Sequence, residues 1–183
     1  MIIVLEGVDC SGKSSVAKHV ASTMSARYYP TPPARYMKER ERIDAISEPC
    51  DHYRFYLNAM KDASRELSSL VAQNNLVIVD RYWMSTFVYH RAMGVNTIMS
   101  DFSELTEPSW TFYLCITPET QSKRFKIRGM SVGDRRTLHV QSQIRLEYER
   151  LIKNVDSVTI IKSDQLSICD VSDIVIKKIN DLK

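Results

Sequence analysis

Short apolar runs rich in β-branched residues alternate along the chain with longer segments whose apolar residues recur every three or four positions. The short runs predict strands at Ile2–Leu5, Leu76–Val79, Thr111–Ile116 and Val158–Ile161, with a weaker one at Arg27–Tyr29. Helical spacing is clearest over residues 14–24, in a segment that begins near Asp51, and over residues 171–179. Continuous apolar runs are typical of parallel strands that are buried on both faces of a sheet.

Strands separated by helices indicate βαβ units, which place helices on both faces of a parallel sheet. The pattern therefore predicts an α/β three-layer sandwich with a parallel five-stranded sheet. No repeat, linker or low-complexity stretch divides the 183 residues, so we expect a single domain over residues 1–183.

A glycine-rich turn follows the first strand and opens the first predicted helix. Residues 7–14 read G-V-D-C-S-G-K-S and fit the pattern G-x-x-x-x-G-K-[ST] at every fixed position. In this context backbone N–H groups cradle phosphates, Lys13 reaches the outer phosphates and the Ser14 hydroxyl can ligate Mg²⁺. The turn predicts a P-loop fold that binds ATP and Mg²⁺, whereas a mere tight connection would not need the Lys-Ser pair. The predicted nucleotide-binding residues are Gly7, Val8, Asp9, Cys10, Ser11, Gly12, Lys13, Ser14 and Ser15.

A second apolar run ends in an acidic residue, an arginine and an aromatic residue, Asp80-Arg81-Tyr82. An aspartate at the carboxyl end of a parallel strand lies where open α/β sheets bind their ligands. We therefore expect Asp80 to hold Mg²⁺ together with Ser14, and Arg81 to form a bidentate contact with a phosphate. The alternative is that Asp80 caps the next helix and Arg81 lies on the surface.

A basic segment with two glycines separates two helical stretches at residues 128–136. In a nucleotide-binding fold it suggests a small lid, at about 128–137, that closes over phosphates; a solvated loop with surface arginines is the alternative. The phosphate loop contains no arginine, so any reaction at the bound phosphates would need the lid to supply a neutralising arginine charge. The catalytic candidates are Lys13, Asp80, Arg81, Arg128, Arg135 and Arg136.

Composition narrows the class of protein. A net charge of +3 gives no reason to expect nucleic acid or a membrane as partner, and no apolar run is long enough to cross a bilayer. The chain opens directly into a strand, so we expect a cytoplasmic protein. Its scattered cysteines should be free thiols; they are Cys10, Cys50, Cys115 and Cys169.

Other polar residues receive a less specific interpretation. We expect His19, His52 and His139 to be surface or capped histidines, because their spacing fits no metal site. The charge run 35–42 is most simply a solvated helix face, although one or two of its arginines could reach an acceptor phosphate.

Both motifs resemble those of the thymidylate kinase family of nucleoside monophosphate kinases. The loop is similar to the family's G-x-D-x-x-G-K-S, with Asp9 at the additional acidic position. The family's D-R-Y-x-x-S-x-x-x-Y stretch is matched by Asp80-Arg81-Tyr82, Ser85 and Tyr89. The resemblance spans almost the whole chain. The family's arginine-bearing lid is matched by Arg124, Arg128 and Asp134-Arg135-Arg136.

The resemblance implies transfer of the γ-phosphate of ATP to a nucleoside monophosphate, most simply dTMP to give dTDP, by a homodimer. It also implies that Asp9 bonds the 3′-hydroxyl of the acceptor sugar and that Phe55 stacks on the acceptor base, although Phe55 could instead be a core aromatic. The implied substrate-binding residues are Asp9, Phe55, Arg81, Ser85 and Tyr89.

Three departures from the family pattern touch the acceptor pocket and leave the transfer machinery intact. Residues 29–33 read Tyr-Pro-Thr-Pro-Pro where the family has a segment like Arg-Glu-Pro-Gly-Gly-Thr. Ala59 stands in place of an arginine that helps to hold the acceptor base, and His90 stands in place of a glutamine.

Two other functions stay open at this point. A deoxynucleoside kinase shares the fold, but such enzymes usually carry Glu-Arg-Ser where this chain has Asp80-Arg81-Tyr82. A non-catalytic nucleotide-binding protein is the second, and a GTP-hydrolysing switch would need an Asn-Lys-x-Asp motif that Lys162-Ser163-Asp164 does not satisfy.

Overall fold

Five parallel strands form one sheet in the residues that the structure, a computed structural model, describes: 1–46, 48–73 and 75–183. The strand order is β2-β3-β1-β4-β5. This confirms the predicted α/β architecture, including the weaker strand, with ends that shift by one or two residues. The strands are β1 (Ile2–Gly7), β2 (Arg27–Pro30), β3 (Val77–Asp80), β4 (Trp110–Cys115) and β5 (Val158–Lys162).

Helices connect the strands and cover both faces of the sheet. Three-residue or four-residue 3₁₀ turns lie at Ala34–Tyr36, Met99–Phe102 and Leu138–Val140. The α-helices are α1 (Lys13–Thr23), α2 (Met37–Ile46), α3 (Pro49–Ala72), α4 (Trp83–Ala92), α5 (Pro118–Arg128), α6 (Val132–Thr137), α7 (Gln141–Ile152) and α8 (Ile168–Asp181).

Two apolar cores lie on opposite faces of the sheet. One packs α1 and α8 against the sheet through residues such as Val16 and Val175. The other packs α3, α4 and α7 through residues such as Leu67, Val88 and Ile144. The alternating side chains of β1 explain the division, since Ile3 belongs to the first core and its neighbours to the second.

The register of the sheet brings the two sequence motifs to one edge. Leu5 of β1 pairs with Asp80 of β3, so the phosphate loop and the Asp80-Arg81 turn leave the sheet side by side. Gly7 ends β1 with φ of 144°, and a Cβ there would lie 2.2 Å from the carbonyl oxygen of Leu114. Only glycine fits at the point where the chain turns out of the sheet.

The predicted lid segment is largely a short helix. Helix α5 ends at Arg128, Gly129 follows with φ of 80°, and α6 begins after a capping box formed by Ser131 and Asp134. Helix α6 packs on α2, across the sheet edge from the phosphate loop. None of the helices in the described residues is both long and apolar enough to traverse a lipid bilayer.

Candidate active site

The phosphate loop joins β1 to α1 and lines an open cavity, the loop cavity, which also contains Asp80 and Arg128. Gly12 stands at the N-cap of α1 with φ of 100°, so the chain enters the helix with its first N–H groups turned toward this cavity. Arg124 donates to the carbonyl oxygens of Cys10 at 3.0 Å and Ser163 at 3.1 Å, and thereby fixes the loop against β5. The loop geometry is that of an anion cradle.

Lys13 is buried beneath the loop. Its Nζ donates to the carbonyl oxygen of Val8 at 2.6 Å and to the hydroxyl of Ser11 at 3.2 Å. Burial, followed by the charge of Arg81, lowers the pKa of Lys13 to about 7. An ammonium in this position gains a strong partner when phosphate enters the loop.

Arg81 connects the two motifs. Its guanidinium pairs with the carboxylate of Asp9 and donates to the carbonyl oxygen of Gly7 at 3.2 Å, while Tyr89 donates to Asp9 at 2.9 Å. Burial alone would raise the pKa of Asp9, but the charges of Arg81 and Lys13 hold it below its ordinary value. Arg81 has φ of 67°, an uncommon conformation for a non-glycine residue and one often found at functional sites.

Asp80 and Ser14 both line the loop cavity, and their chemistry fits Mg²⁺. The Asp80 carboxylate is buried and accepts from Tyr28 at 3.0 Å through Oδ2, and the Ser14 hydroxyl is exposed to the cavity. Hard oxygen ligands of this kind suit Mg²⁺, which usually takes one or two carboxylates and completes its shell with water and phosphate. The described residues contain no cluster of three His, Cys, Asp or Glu side chains that could hold a metal ion by themselves.

A second cavity of about 100 Å³, the helix cavity, opens between α2, α3, α4 and α6. It is lined mainly by apolar and aromatic surface, with Arg40, His90 and Arg136 among its polar residues. Asp9, Arg40 and Arg81 line both cavities, as do Thr31, Pro32, Ser131 and Asp134. The two cavities therefore meet at a junction that carries both carboxylate and guanidinium groups.

The structure places Tyr56, and not Phe55, in the wall of the helix cavity. Phe55 is buried and packs edge-on against Tyr36 and Tyr56, with ring centroids 5.6 Å and 5.4 Å apart. One position along a helix turns a side chain by about 100°, which is why the sequence did not distinguish them. The expected stacking role of Phe55 has no support from its position.

The lid arginines fall in three different places. Arg128 lines the loop cavity and pairs with Asp134 at 2.6 Å. Arg136 lines the helix cavity and donates to the carbonyl oxygen of Asp44 at 3.3 Å. Arg135 is exposed and lines neither cavity. The structure brings two of the three candidates to the site.

Glu6 is a buried residue that sequence reasoning missed. Its carboxylate accepts from the N–H groups of Tyr82 at 2.8 Å and Ser85 at 3.1 Å, and from the hydroxyls of Ser85 and Tyr148. Burial raises the pKa of Glu6. Ser85, expected to bind substrate, lines the helix cavity but uses its hydroxyl to bind Glu6 and to accept from Arg81. A glutamate at the end of an apolar strand was the available signal.

His52 corrects another expectation. The sequence suggested a surface or capped histidine, but His52 is buried between Asp44 and His90 in the wall of the helix cavity. Arg40, from the charge run that reads as a solvated face, lies beside them. These residues come from three different helices, so no local spacing relates them.

Comparison with known protein families identifies the family of this chain. A family model described as thymidylate kinase matches residues 5–174. The chain belongs to the thymidylate kinase family. Members of this family are ATP-dependent phosphotransferases that act on a nucleoside monophosphate, which confirms the kinase class, the ATP requirement and the substrate class predicted from the motifs.

Individual thymidylate kinases are similar over most of their length. A probable thymidylate kinase of Pyrobaculum calidifontis is 29% identical over 136 residues, which are 70% of each chain. One of Pyrococcus horikoshii is 27% identical over 178 residues, 88% of this chain and 87% of that one. The structure of thymidylate kinase from Candida albicans superposes with a TM-score of 0.83 over 98% of this chain and 91% of that chain, at 17% identity, which establishes the shared fold.

Proposed function

We propose that this thymidylate kinase family member transfers the γ-phosphate of ATP to dTMP to give dTDP. The proposal is supported by the meeting of the two cavities at Asp9, Arg40 and Arg81. A donor held by the phosphate loop and an acceptor held among the helices would bring their phosphates together at this junction.

Transfer between two phosphates needs positioning and charge neutralisation more than covalent help from the protein. The backbone of residues 7–14 holds the donor phosphates, and Lys13 contacts the outer ones. Arg81 and Arg40 hold the acceptor phosphate in line, since both guanidinium groups face the junction. Arg128 and Arg136 approach from the lid side and stabilise the charge on the group in transit.

The acceptor nucleoside occupies the helix cavity in this proposal. Tyr56 lies against its base, and Asp9 with Tyr89 faces its sugar; Asp9 and Tyr89 both line the cavity and are joined by a hydrogen bond of 2.9 Å. An aromatic wall closed by helices also excludes water, which would otherwise compete for the phosphate.

Ser14 and Asp80 would hold Mg²⁺ at the loop cavity. When bound, the cation neutralises charge on the donor phosphates. The family resemblance also implies a homodimer, which light scattering in solution would test. The sequence separately predicts a cytoplasmic location, which localisation of the tagged protein would test.

A coupled assay of ADP release across a panel of acceptors tests the activity. We expect release with dTMP that depends on Mg²⁺, and conversion of dTMP to dTDP detected by mass spectrometry. Release with thymidine or deoxyadenosine but with no monophosphate would instead identify a deoxynucleoside kinase. Binding of ATP with no release under any of these conditions would identify a non-catalytic protein.

A further inference from the structure

A chain of hydrogen bonds runs along the wall of the helix cavity from α2 to α4. Asp44 Oδ1 lies 3.0 Å from His52 Nε2, and His52 Nδ1 lies 2.7 Å from His90 Nε2. His90 Nδ1 then lies 2.6 Å from the carbonyl oxygen of Thr86. The three side chains are almost fully buried, with His90 only 2% exposed. Every ring nitrogen in the chain is therefore engaged by another atom of the protein.

The hydrogens in this chain can be assigned by counting donors. The carbonyl oxygen of Thr86 can only accept, so His90 Nδ1 carries a hydrogen. Burial and the neighbouring His52 lower the pKa of His90 to about 3, so His90 is neutral and its Nε2 accepts. The hydrogen between the two rings must then come from His52 Nδ1.

Asp44 has further partners on its own helix and on α3. Tyr56 donates to Asp44 Oδ1 at 2.8 Å, and Arg40 Nε lies 3.3 Å from Oδ2. Burial alone would raise the pKa of Asp44, but the hydrogen bond from His52 and the charge of Arg40 hold it below its ordinary value. Asp44 is therefore a carboxylate that holds His52 from the α2 side, while His90 holds it from the α4 side.

Charged and titratable groups face the two rings from four helices, and the carboxylates of Asp9 and Asp134 line the same cavity. The groups that face the rings are Arg40 and Asp44 on α2, Tyr53 and Tyr56 on α3, His52 and His90 themselves on α3 and α4, and Arg136 on α6.

Asp44 also supports the lid helix. A Cβ on Gly133 would lie 3.1 Å from Asp44 Oδ2, so α6 rests directly on the carboxylate. Arg136, one turn further on, donates to the carbonyl oxygen of the same residue at 3.3 Å. The carboxylate that binds His52 is thus also the contact point of the segment that carries a proposed catalytic arginine.

We propose that Asp44, His52 and His90 are positioning residues that seat helix α6 over the acceptor cavity. The kinetic part of this inference rests on the proposed function. Removal of any one of the three side chains leaves a buried polar group without its partner, so the contact that supports α6 loosens and turnover falls.

Substitution of Asp44 tests its role as the support of α6. We expect Asp44→Asn, which keeps the size of the side chain but removes its charge, to lower kcat/KM for the acceptor with a smaller change in the KM for ATP. His19→Gln, exposed on α1, serves as control and should match the wild type. Wild-type kinetics in Asp44→Asn would overturn the proposal.

Two substitutions at His90 distinguish a positioning role of its side chain from a role in packing alone. Glutamine retains an oxygen that can accept from His52 Nδ1, whereas alanine leaves that buried donor unsatisfied. We expect His90→Ala to lower kcat about tenfold with a smaller change in the KM for ATP, and His90→Gln to restore most of kcat. Equal losses in both variants would contradict the proposal.

The protonation states can be measured without any substrate. Long-range ¹H–¹⁵N spectra of the imidazole nitrogens at neutral pH should show His90 protonated on Nδ1 alone, with assignments from single histidine substitutions. A doubly protonated His90, or one protonated on Nε2 alone, would refute the proposed chain of hydrogen bonds. Because this experiment does not depend on turnover, its failure is distinct from a failure of the proposed kinase activity.

Discussion

The phosphate loop and the helix cavity lie at the same edge of the sheet but are built in opposite ways. The loop is one continuous segment, residues 7–15, whose backbone N–H groups and first helical turn create the binding surface. The cavity is assembled from side chains of α2, α3, α4 and α6, which only the packing of the whole domain brings together. Phosphate handling is therefore encoded locally, whereas recognition of the acceptor is a property of the tertiary structure.

The largest effect should come from the loop itself. We expect Lys13→Ala to lower turnover about a thousandfold, because the buried ammonium stabilises charge that develops on the phosphates. Lys18→Ala, on the exposed face of the same helix, is the matched control and should remain close to wild type. Steady-state kinetics measure both, and normal turnover of the Lys13 variant would contradict the mechanism.

Substitutions of the lid arginines test whether a residue's position in the fold predicts its role in catalysis better than its match to the family motif does. Arg136→Ala should lower kcat about a hundredfold, since its guanidinium lines the helix cavity. Arg135→Ala should change kcat by no more than about twofold, because Arg135 is exposed and lines neither cavity. Equal effects from the two substitutions would show that the lid adopts a different arrangement during turnover.

Substitutions of the two adjacent aromatic residues of α3 test which of them contacts the acceptor in the helix cavity. Tyr56→Leu should raise the KM for dTMP about tenfold through loss of stacking, with little change in the KM for ATP. Phe55→Leu should lower thermal stability and leave both KM values nearly unchanged, since Phe55 packs against Tyr36 and Tyr56 outside the cavity. The reverse pattern would restore the expectation drawn from the sequence.

The smallest effect concerns stability in acid. The pKa of His90 is lowered to about 3, so the folded protein does not protonate His90 at pH 5 whereas the unfolded chain does. Unfolding is therefore favoured as pH falls, by about 2 kcal/mol between pH 7 and pH 5. Denaturant unfolding should show a smaller loss in His90→Gln than in the wild type. His19→Gln should show the full loss, and identical losses in all three would argue against a buried neutral His90.

Features that are encoded by consecutive residues could be predicted from the sequence alone. The strands, the phosphate loop and the placement of Asp80 beside it follow from apolar runs and from one motif. The choice of Tyr56 over Phe55, or of Arg136 over Arg135, depends on which way a helix is rotated in the packed domain. The only sequence signal for Glu6 was its place at the end of an apolar strand. The pairing of His52 with His90 depends on contacts between different helices, for which a single sequence contains no local signal.

The central claim is that the two cavities form one reaction chamber. Calorimetric titration with a bisubstrate compound, adenosine and thymidine joined through a polyphosphate chain, tests it most directly. The account predicts that one molecule binds per chain, excludes both ATP and dTMP, and is weakened by Lys13→Ala and by Tyr56→Leu. A compound that displaces only one nucleotide, or whose binding is insensitive to either substitution, would contradict it.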